Sequence, residues 1–352
     1  MIRVLIVDDS PTMRLLLRSA LESDAEIEVV GEARDGEHAL TLARQFVPDL
    51  ITMDIEMPKM NGFEAIQRIM REIPCPIIVL SSQQSDEALG ISFRAMEVGA
   101  LAVIAKPKGL IGQDPELGKL VEHVKSLSQV KVVQRQGNTH HKTHLPPKIE
   151  PDLIDPLPES IEIVAIGAST GGPQALQILL NNLSPDIQIP VVIVQHISQG
   201  FVGGLARWLD ETTPWKVELA VESQRLKPRT AYLAPDNCHL LFYQPGQVML
   251  DCTLALDGHR PSVTALFKSM AKVYRGNVVA TLLTGMGRDG ADGLKILRDV
   301  GAHTIVQDEA SCVIFGMPRQ AILLDAASEV LPLLSIGSRI NALVAASWKA
   351  KK

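Results

Sequence analysis

The sequence predicts two α/β domains, each a parallel sheet covered by helices on both faces, joined by a linker. Three observations predict this. Short apolar, β-rich runs alternate with helix-length amphipathic segments from residue 1 to about 125. The same rhythm resumes near 161 and continues to about 347. Between them, residues 126–160 carry Pro146, Pro147, Pro151, Pro156 and Pro158 and lose apolar periodicity after Val133. Strand runs that alternate with helices imply βαβ units, because a parallel crossover needs a helix-sized connection. A length of 352 residues suits two domains and a linker, and 46 % hydrophobic residues suffice for two cores.

In the first stretch the strand candidates are residues 3–7, 28–31, 50–53, 77–80 and 100–105, with helix patterns over 12–23, 36–46, 62–72 and 86–98. Five strands and five helices in this length suit the flavodoxin-like doubly wound order. The proline-rich stretch is read as a semi-extended linker. Its His140, His141 and His144 are read as solvated, since nothing rigid would hold them around a metal. In the second stretch the strand candidates are 161–166, 190–195, 278–283 and 303–306, with helix patterns over 172–182, 262–273 and 290–300. These make a second doubly wound sheet, and no sequence repeat links the halves.

Composition excludes several classes. Charged residues are 21 % and the formal net charge is -6, which gives no electrostatic footprint for nucleic acid. The first apolar run is short and ends in Asp8-Asp9, unlike a signal peptide. No stretch approaches the roughly 20 apolar residues that span a bilayer. A cytoplasmic protein without membrane insertion is expected. Cys75, Cys238, Cys252 and Cys312 show no C-x-x-C spacing, so the expectation is four reduced, mostly buried thiols and no zinc site.

Ligand sites in doubly wound sheets form outside the carboxyl ends of the strands. In the first domain those ends carry Asp8-Asp9, Asp54, Ser81 and Lys106-Pro107. Any one aspartate there could simply cap a helix. Together, three carboxylates repel one another unless a hard divalent cation such as magnesium joins them. Asp54 is then a carboxylate nucleophile for a phosphoryl group, with magnesium and Lys106 stabilising the transferred charge and Ser81 bonding a phosphoryl oxygen. These residues, with Met57-Pro58 and Gly62, resemble the receiver domain of bacterial response regulators over about residues 1–125. The resemblance implies Asp54 as phosphoacceptor, a histidine kinase as donor, and Asp8, Asp9, Asp54 and the Glu56 backbone carbonyl as magnesium ligands. Val103 stands where many receivers carry an aromatic switch residue.

In the second domain, strand 161–166 runs into Gly167-Ala168-Ser169-Thr170-Gly171-Gly172-Pro173. Small residues on both sides of Ser169 permit a tight strand-to-helix turn, as in a nucleophile elbow, although a glycine-rich turn can equally cradle a phosphate. The spacing is not that of a dinucleotide-binding turn. His196 follows strand 190–195, and Asp289 lies in Thr284-Gly285-Met286-Gly287-Arg288-Asp289-Gly290 after strand 278–283. All three can meet at one sheet edge, where a serine, a histidine base and an orienting carboxylate make an acyl-transfer site.

These segments, with Gln195, His259-Arg260-Pro261-Ser262-Val263, Gln307-Asp308-Glu309 and Phe315-Gly316-Met317-Pro318, resemble the CheB family of chemotaxis methylesterases. The resemblance covers nearly the whole chain except the linker. It implies Ser169 as nucleophile, His196 as base, Asp289 as orienter, and backbone groups of Met286 and Thr170 at the oxyanion hole, with no cofactor for the ester chemistry. It further implies glutamyl methyl esters on cytoplasmic chemoreceptor helices as substrate, with glutamine deamidation also accessible. Phosphorylation of Asp54 is expected to relieve blocking by the tethered receiver. Ile197-Ser198-Gln199 and Thr264 depart from the family pattern and are expected to bear on substrate docking. A receptor-binding protein without turnover is the rival reading; a transcription factor fits less well, as no helix-turn-helix signal or basic cluster is present.

Overall fold

The computed structural model describes residues 1–82, 86–109, 114–130, 132 and 160–350. It divides into two compact units, Met1–Lys142 and Thr143–Lys352. In the first, β1 (Ile2–Val7), α1 (Pro11–Leu21), β2 (Ile27–Ala33), α2 (Gly36–Phe46), β3 (Leu50–Asp54), α3 (Gly62–Glu72), β4 (Ile77–Ser81), α4 (Asp86–Glu97), β5 (Ala102–Ala105) and α5 (Pro115–Leu127) alternate. The strands pair in parallel in the order β2-β1-β3-β4-β5, the flavodoxin-like order expected. Every residue of β3 and β4 is buried, which is why these strands read as continuous apolar runs.

Local chemistry sets where the helices begin. Ser10 accepts from the Met13 amide with Pro11 in the first turn, Asp35 accepts from His38, and Asn61 accepts from Glu64. Each cap turns the chain sharply after a strand and leaves the acidic groups at the carboxyl edge. Helix α5 runs to Leu127, two residues past the expected end of the first domain. The linker's prolines and its three histidines lie outside the described residues.

In the second unit the order is β6 (Ile163–Ala168), α6 (Gly172–Asn182), β7 (Val191–Gln195), α7 (Val202–Thr212), β8 (Lys216–Leu219), β9 (Thr230–Leu233), β10 (His239–Gln244), β11 (Gln247–Asp251), α8 (Val263–Val273), β12 (Val278–Leu282), α9 (Ala291–Asp299), β13 (His303–Gln307), α10 (Met317–Leu323), β14 (Glu329–Leu331) and α11 (Leu333–Ala350). Seven strands pair in parallel in the order β14-β13-β12-β6-β7-β9-β8. From β6 the chain first builds outward through β7, then returns to β6's other side with β12. The switch point therefore lies between β6 and β12, and crevices form at such points.

The antiparallel hairpin of β10 and β11 stands apart from that sheet. Its inward Leu240, Phe242 and Val248 enter the core beside Leu266, Phe267 and Met270 of α8. The hairpin also overturns the expectation of four reduced thiols, because the sulfurs of Cys238 and Cys252 are bonded. The reason is register. His239 pairs with Asp251, so the residues just outside the two strands face each other. Cys75 and Cys312 are free, and burial pushes both thiols up to about 12. Closing a loop of about 15 residues is worth about 3 kcal/mol in the chain-entropy account. A Cys238→Ser, Cys252→Ser double variant should therefore melt roughly 5–10 °C lower by calorimetry. Dithiothreitol should lower the wild-type transition similarly and leave the variant unmoved.

At the opposite strand ends, Glu329 of β14 accepts from His303 Nε2 of β13 at 2.6 Å and from Arg339 of α11 at 2.8 and 2.9 Å. Burial would raise the Glu329 carboxyl, but its bonds to His303 and Arg339 hold it down at about 2. This cluster ties α11 to the sheet edge. No helix among the described residues is long and apolar enough to cross a membrane.

Candidate active site

Strand β6 delivers Ser169 to the switch point, β7 delivers His196, and the turn after β12 delivers Asp289. Backbone bonds lock these strand ends together. His196 N donates to Ala168 O at 3.0 Å, and Ser169 N donates to Thr284 O at 3.0 Å. Gln195 adds a side-chain clamp, its Nε2 donating to Ser169 O and to His196 O, each at 2.7 Å. The turn after β12 lies hard against the serine. A Cβ on Gly285 would sit 2.6 Å from Ser169 Cβ and 2.4 Å from Met317 Sδ, so only glycine permits this approach. Thr284 pins the same turn: its Oγ1 donates to Thr170 O at 3.0 Å and its N donates to Gln307 Oε1 at 2.8 Å. Met286, half-buried, follows directly.

Asp289 is buried and collects five donors. Oδ1 accepts from Ser262 Oγ (2.8 Å), Thr264 N (3.0 Å) and Gly290 N (2.9 Å). Oδ2 accepts from Val263 N (2.7 Å) and His196 Nε2 (2.9 Å). Burial alone would raise this carboxyl. His196 and the donors at the start of α8 outweigh it and hold the group far below the usual carboxylate range. Asp289 is thus both the acceptor for the first amides of α8 and the partner of His196.

Because a carboxylate only accepts, His196 carries a hydrogen on Nε2, and the neutral form of the ring then has its lone pair on Nδ1. That Nδ1 is buried and has no hydrogen-bond partner among the described residues. Ser169 is not bonded to it here; catalytic bonds are often long before substrate binds. The ring of His259 stacks parallel on that of His196 with centroids 4.3 Å apart. The departure at Thr264 does not face a docking surface as expected. Thr264 is buried, its amide serves Asp289, and its Oγ1 accepts from Gly290 N at 2.8 Å. Ser262, Gln195 and Gln307 were visible only as matched segments; that Ser262 begins an apolar helical run was the available signal.

In the first unit the strand ends bring Asp8, Asp54 and Lys106 into contact. Lys106 Nζ lies 2.8 Å from Asp8 Oδ2 and 2.7 Å from Asp54 Oδ2. Carboxylate oxygens of Asp8, Asp9 and Asp54 lie within 4.8 Å of one another. Burial pushes the Asp54 carboxyl up to about 6, against the pull of Lys106 and with the help of Asp8. Burial would lower Lys106, but its bonds to the two aspartates raise it. Three carboxylates against one ammonium leave a local charge that a divalent cation would balance, and all donors are hard oxygens. The Glu56 amide donates to Asp54 Oδ1 at 3.3 Å, which puts the Glu56 backbone at this pocket. Ser81 Oγ is 2.7 Å from Ser92 Oγ of α4, so its hydroxyl is already engaged.

Comparison with known proteins identifies the family of each unit. The CheB methylesterase family model matches residues 164–340, and the response regulator receiver domain model matches residues 4–111. A protein-glutamate methylesterase/protein-glutamine glutaminase of Syntrophus aciditrophicus is 44 % identical over 335 residues, covering 94 % of this chain and 95 % of that protein. One from Nitrosospira multiformis is 41 % identical over 353 residues, covering 100 % of this chain and 99 % of that one. The crystal structure of the Thermotoga maritima CheB methylesterase catalytic domain aligns with a TM-score of 0.51 and 38 % identity, covering 53 % of this chain and all of that domain. The chain therefore belongs to the CheB methylesterase family, with a response regulator receiver domain ahead of the esterase domain.

Proposed function

We propose that this protein is a phosphorylation-activated protein-glutamate methylesterase that hydrolyses glutamyl methyl esters on the cytoplasmic helices of chemoreceptors. The observation that carries the reading is the placing of His196: one nitrogen bonded to Asp289, the other buried and without a hydrogen-bond partner among the described residues. Ser169 Oγ attacks the ester carbonyl and gives its proton to His196 Nδ1. The oxyanion faces backbone amides of the Met286 turn and of Thr170. Collapse expels methoxide, which leaves as methanol with the proton from His196. Water then attacks the acyl-serine, again losing a proton to Nδ1, and frees the glutamate carboxylate and Ser169. With a glutamine side chain the same steps release ammonia, so deamidation needs no new group. Asp289 stays ionised throughout and holds the ring.

In the receiver, Asp54 would take a phosphoryl group from a histidine kinase. Magnesium, held by Asp8, Asp9, Asp54 and the Glu56 carbonyl, would supply positive charge against the phosphoryl oxygens when bound. Lys106 supplies a second positive charge, and Ser81 would exchange its bond with Ser92 for one to the phosphoryl group. The test compares methanol release from a methylated receptor fragment with and without a small phosphodonor and magnesium. Donor stimulation is expected in the wild type and absent from Asp54→Asn. Equal stimulation of both would mean that Asp54 is not the acceptor.

A further inference from the structure

Behind the triad, the buried ring of His239 at the start of β10 makes two bonds of opposite sense. Its Nδ1 is 3.0 Å from the backbone nitrogen of Ser262. Its Nε2 is 2.8 Å from the carbonyl oxygen of Leu254. A backbone amide can only donate and a carbonyl can only accept. Both partners therefore require the same tautomer: a neutral ring with its lone pair on Nδ1 and its hydrogen on Nε2. An imidazolium here would set an N–H against an N–H.

What this ring joins is more telling than its burial. Leu254 and Ser262 lie at the two ends of the loop between β11 and α8. The foot of the loop is held by the Cys238–Cys252 disulfide, and by Arg260 Nη1 donating to Cys252 O (2.8 Å) and Thr253 O (2.6 Å). Its tip closes on itself, with Leu256 and His259 exchanging backbone bonds of 3.0 and 2.9 Å. The loop then delivers two residues to the catalytic pair. His259 stacks on His196. Ser262, fully buried, caps α8 by accepting from Ala265 N at 3.2 Å, which leaves its hydroxyl hydrogen for Asp289 Oδ1. Both functions of that hydroxyl are used, so its direction depends on where the Ser262 backbone sits. His239 Nδ1 is the side-chain acceptor that sets it.

We propose that His239 is a positioning residue of the esterase: through Ser262 it fixes the hydroxyl and helix-start amides that hold Asp289, and so the orientation of His196. This rests on the triad reading above. A buried histidine that merely filled space would serve equally well as any ring of its size. Two part-replacements separate the cases. His239→Asn keeps an acceptor oxygen near the Nδ1 position but loses the reach to Leu254. His239→Gln reaches the Leu254 carbonyl with an amide donor but has no acceptor near the Nδ1 position. His239→Phe keeps the volume and loses both bonds.

The experiment measures kcat and KM for methanol release by the full-length protein, with melting midpoints as a check of folding. The expected result is a kcat for Asn within about threefold of wild type, and for Gln and Phe roughly ten- to hundredfold lower, with KM little changed, since an orphaned buried donor costs that much. Three folded variants with wild-type kcat would overturn the proposal, as would Asn and Gln falling equally. If Phe fails to fold, the Asn and Gln pair still decides. Nitrogen-15 histidine spectra give a readout that does not need the substrate. His196 should keep its Nε2–H signature in Asn and lose it in Gln. Wild-type protein silent on every methyl ester would sink the proposed function, while those spectra would still judge the role of His239.

Discussion

Replacing Ser169 with alanine is expected to reduce methanol release from a methylated receptor fragment by about 10³-fold or more, with or without phosphodonor. The size follows from what the hydroxyl does. Without it no acyl-serine forms, and what remains is catalysis by the oxyanion donors and by substrate binding, on the order of 10³–10⁴ over water in serine hydrolases. The variant should fold, because alanine keeps the Cβ that lies against Gly285 and the backbone bonds of Ser169 to Thr284, Gln195 and Gly172. It should also bind receptor normally, so the loss should fall on kcat rather than KM. The rival, a receptor-binding protein without turnover, makes the opposite forecast. Folded wild type would bind the fragment and release no methanol, and Ser169→Ala would change nothing. Adding donor and magnesium to both proteins ties the two domains together in one measurement, since stimulation has meaning only where Ser169 is present.

Much of this architecture is legible in the sequence because it rests on elementary rules. Buried parallel strands must be apolar on both faces, so β1, β3, β4, β6, β7, β12 and β13 show as runs, and the groups that follow them collect at one edge. Ser169, His196, Asp289, Asp8, Asp54 and Lys106 were located that way. The elements between 197 and 261 were not. Strands β8 and β9 have four residues each, too few to display a period. The hairpin carries a turn signal in Pro245-Gly246, but its strands lie outside the parallel sheet, and half of the residues of β10 and most of β11 stay partly exposed, so they do not show as a continuous apolar run. Missing the hairpin hid everything that depends on its register: the Cys238–Cys252 bond, the place of His239, and the loop that lays His259 on His196. Nor does a strand end say which nitrogen of a histidine meets the acid. That Nε2 faces Asp289 and Nδ1 is left open is set by the start of α8, which holds the carboxylate from behind.

That arrangement forecasts the second large effect. Asp289→Asn should lower kcat by about 10⁴-fold while the protein stays folded. An asparagine must put its NH₂ where one carboxylate oxygen was. On the Oδ1 side it would confront three donors, from Ser262, Thr264 and Gly290. On the Oδ2 side it would confront two, from Val263 and His196. The second placement conflicts with fewer bonds, and it can be accommodated only if His196 moves its hydrogen to Nδ1 and accepts at Nε2. The nitrogen meant to take the serine proton is then occupied. The same substitution should be visible in stability. The folded-state carboxyl of Asp289 is depressed below its unfolded value, so its ionised form stabilises the fold fully above the unfolded pKa of about 4. That contribution declines as pH falls below the unfolded value and is gone once pH has passed through the lower folded value. The melting midpoint of wild type should therefore exceed that of Asp289→Asn by a constant margin at neutral pH, and the margin should shrink below about pH 4. An asparagine variant that kept kcat within tenfold would mean that His196 takes its orientation from something other than Asp289, leaving the stacked ring of His259 to supply it.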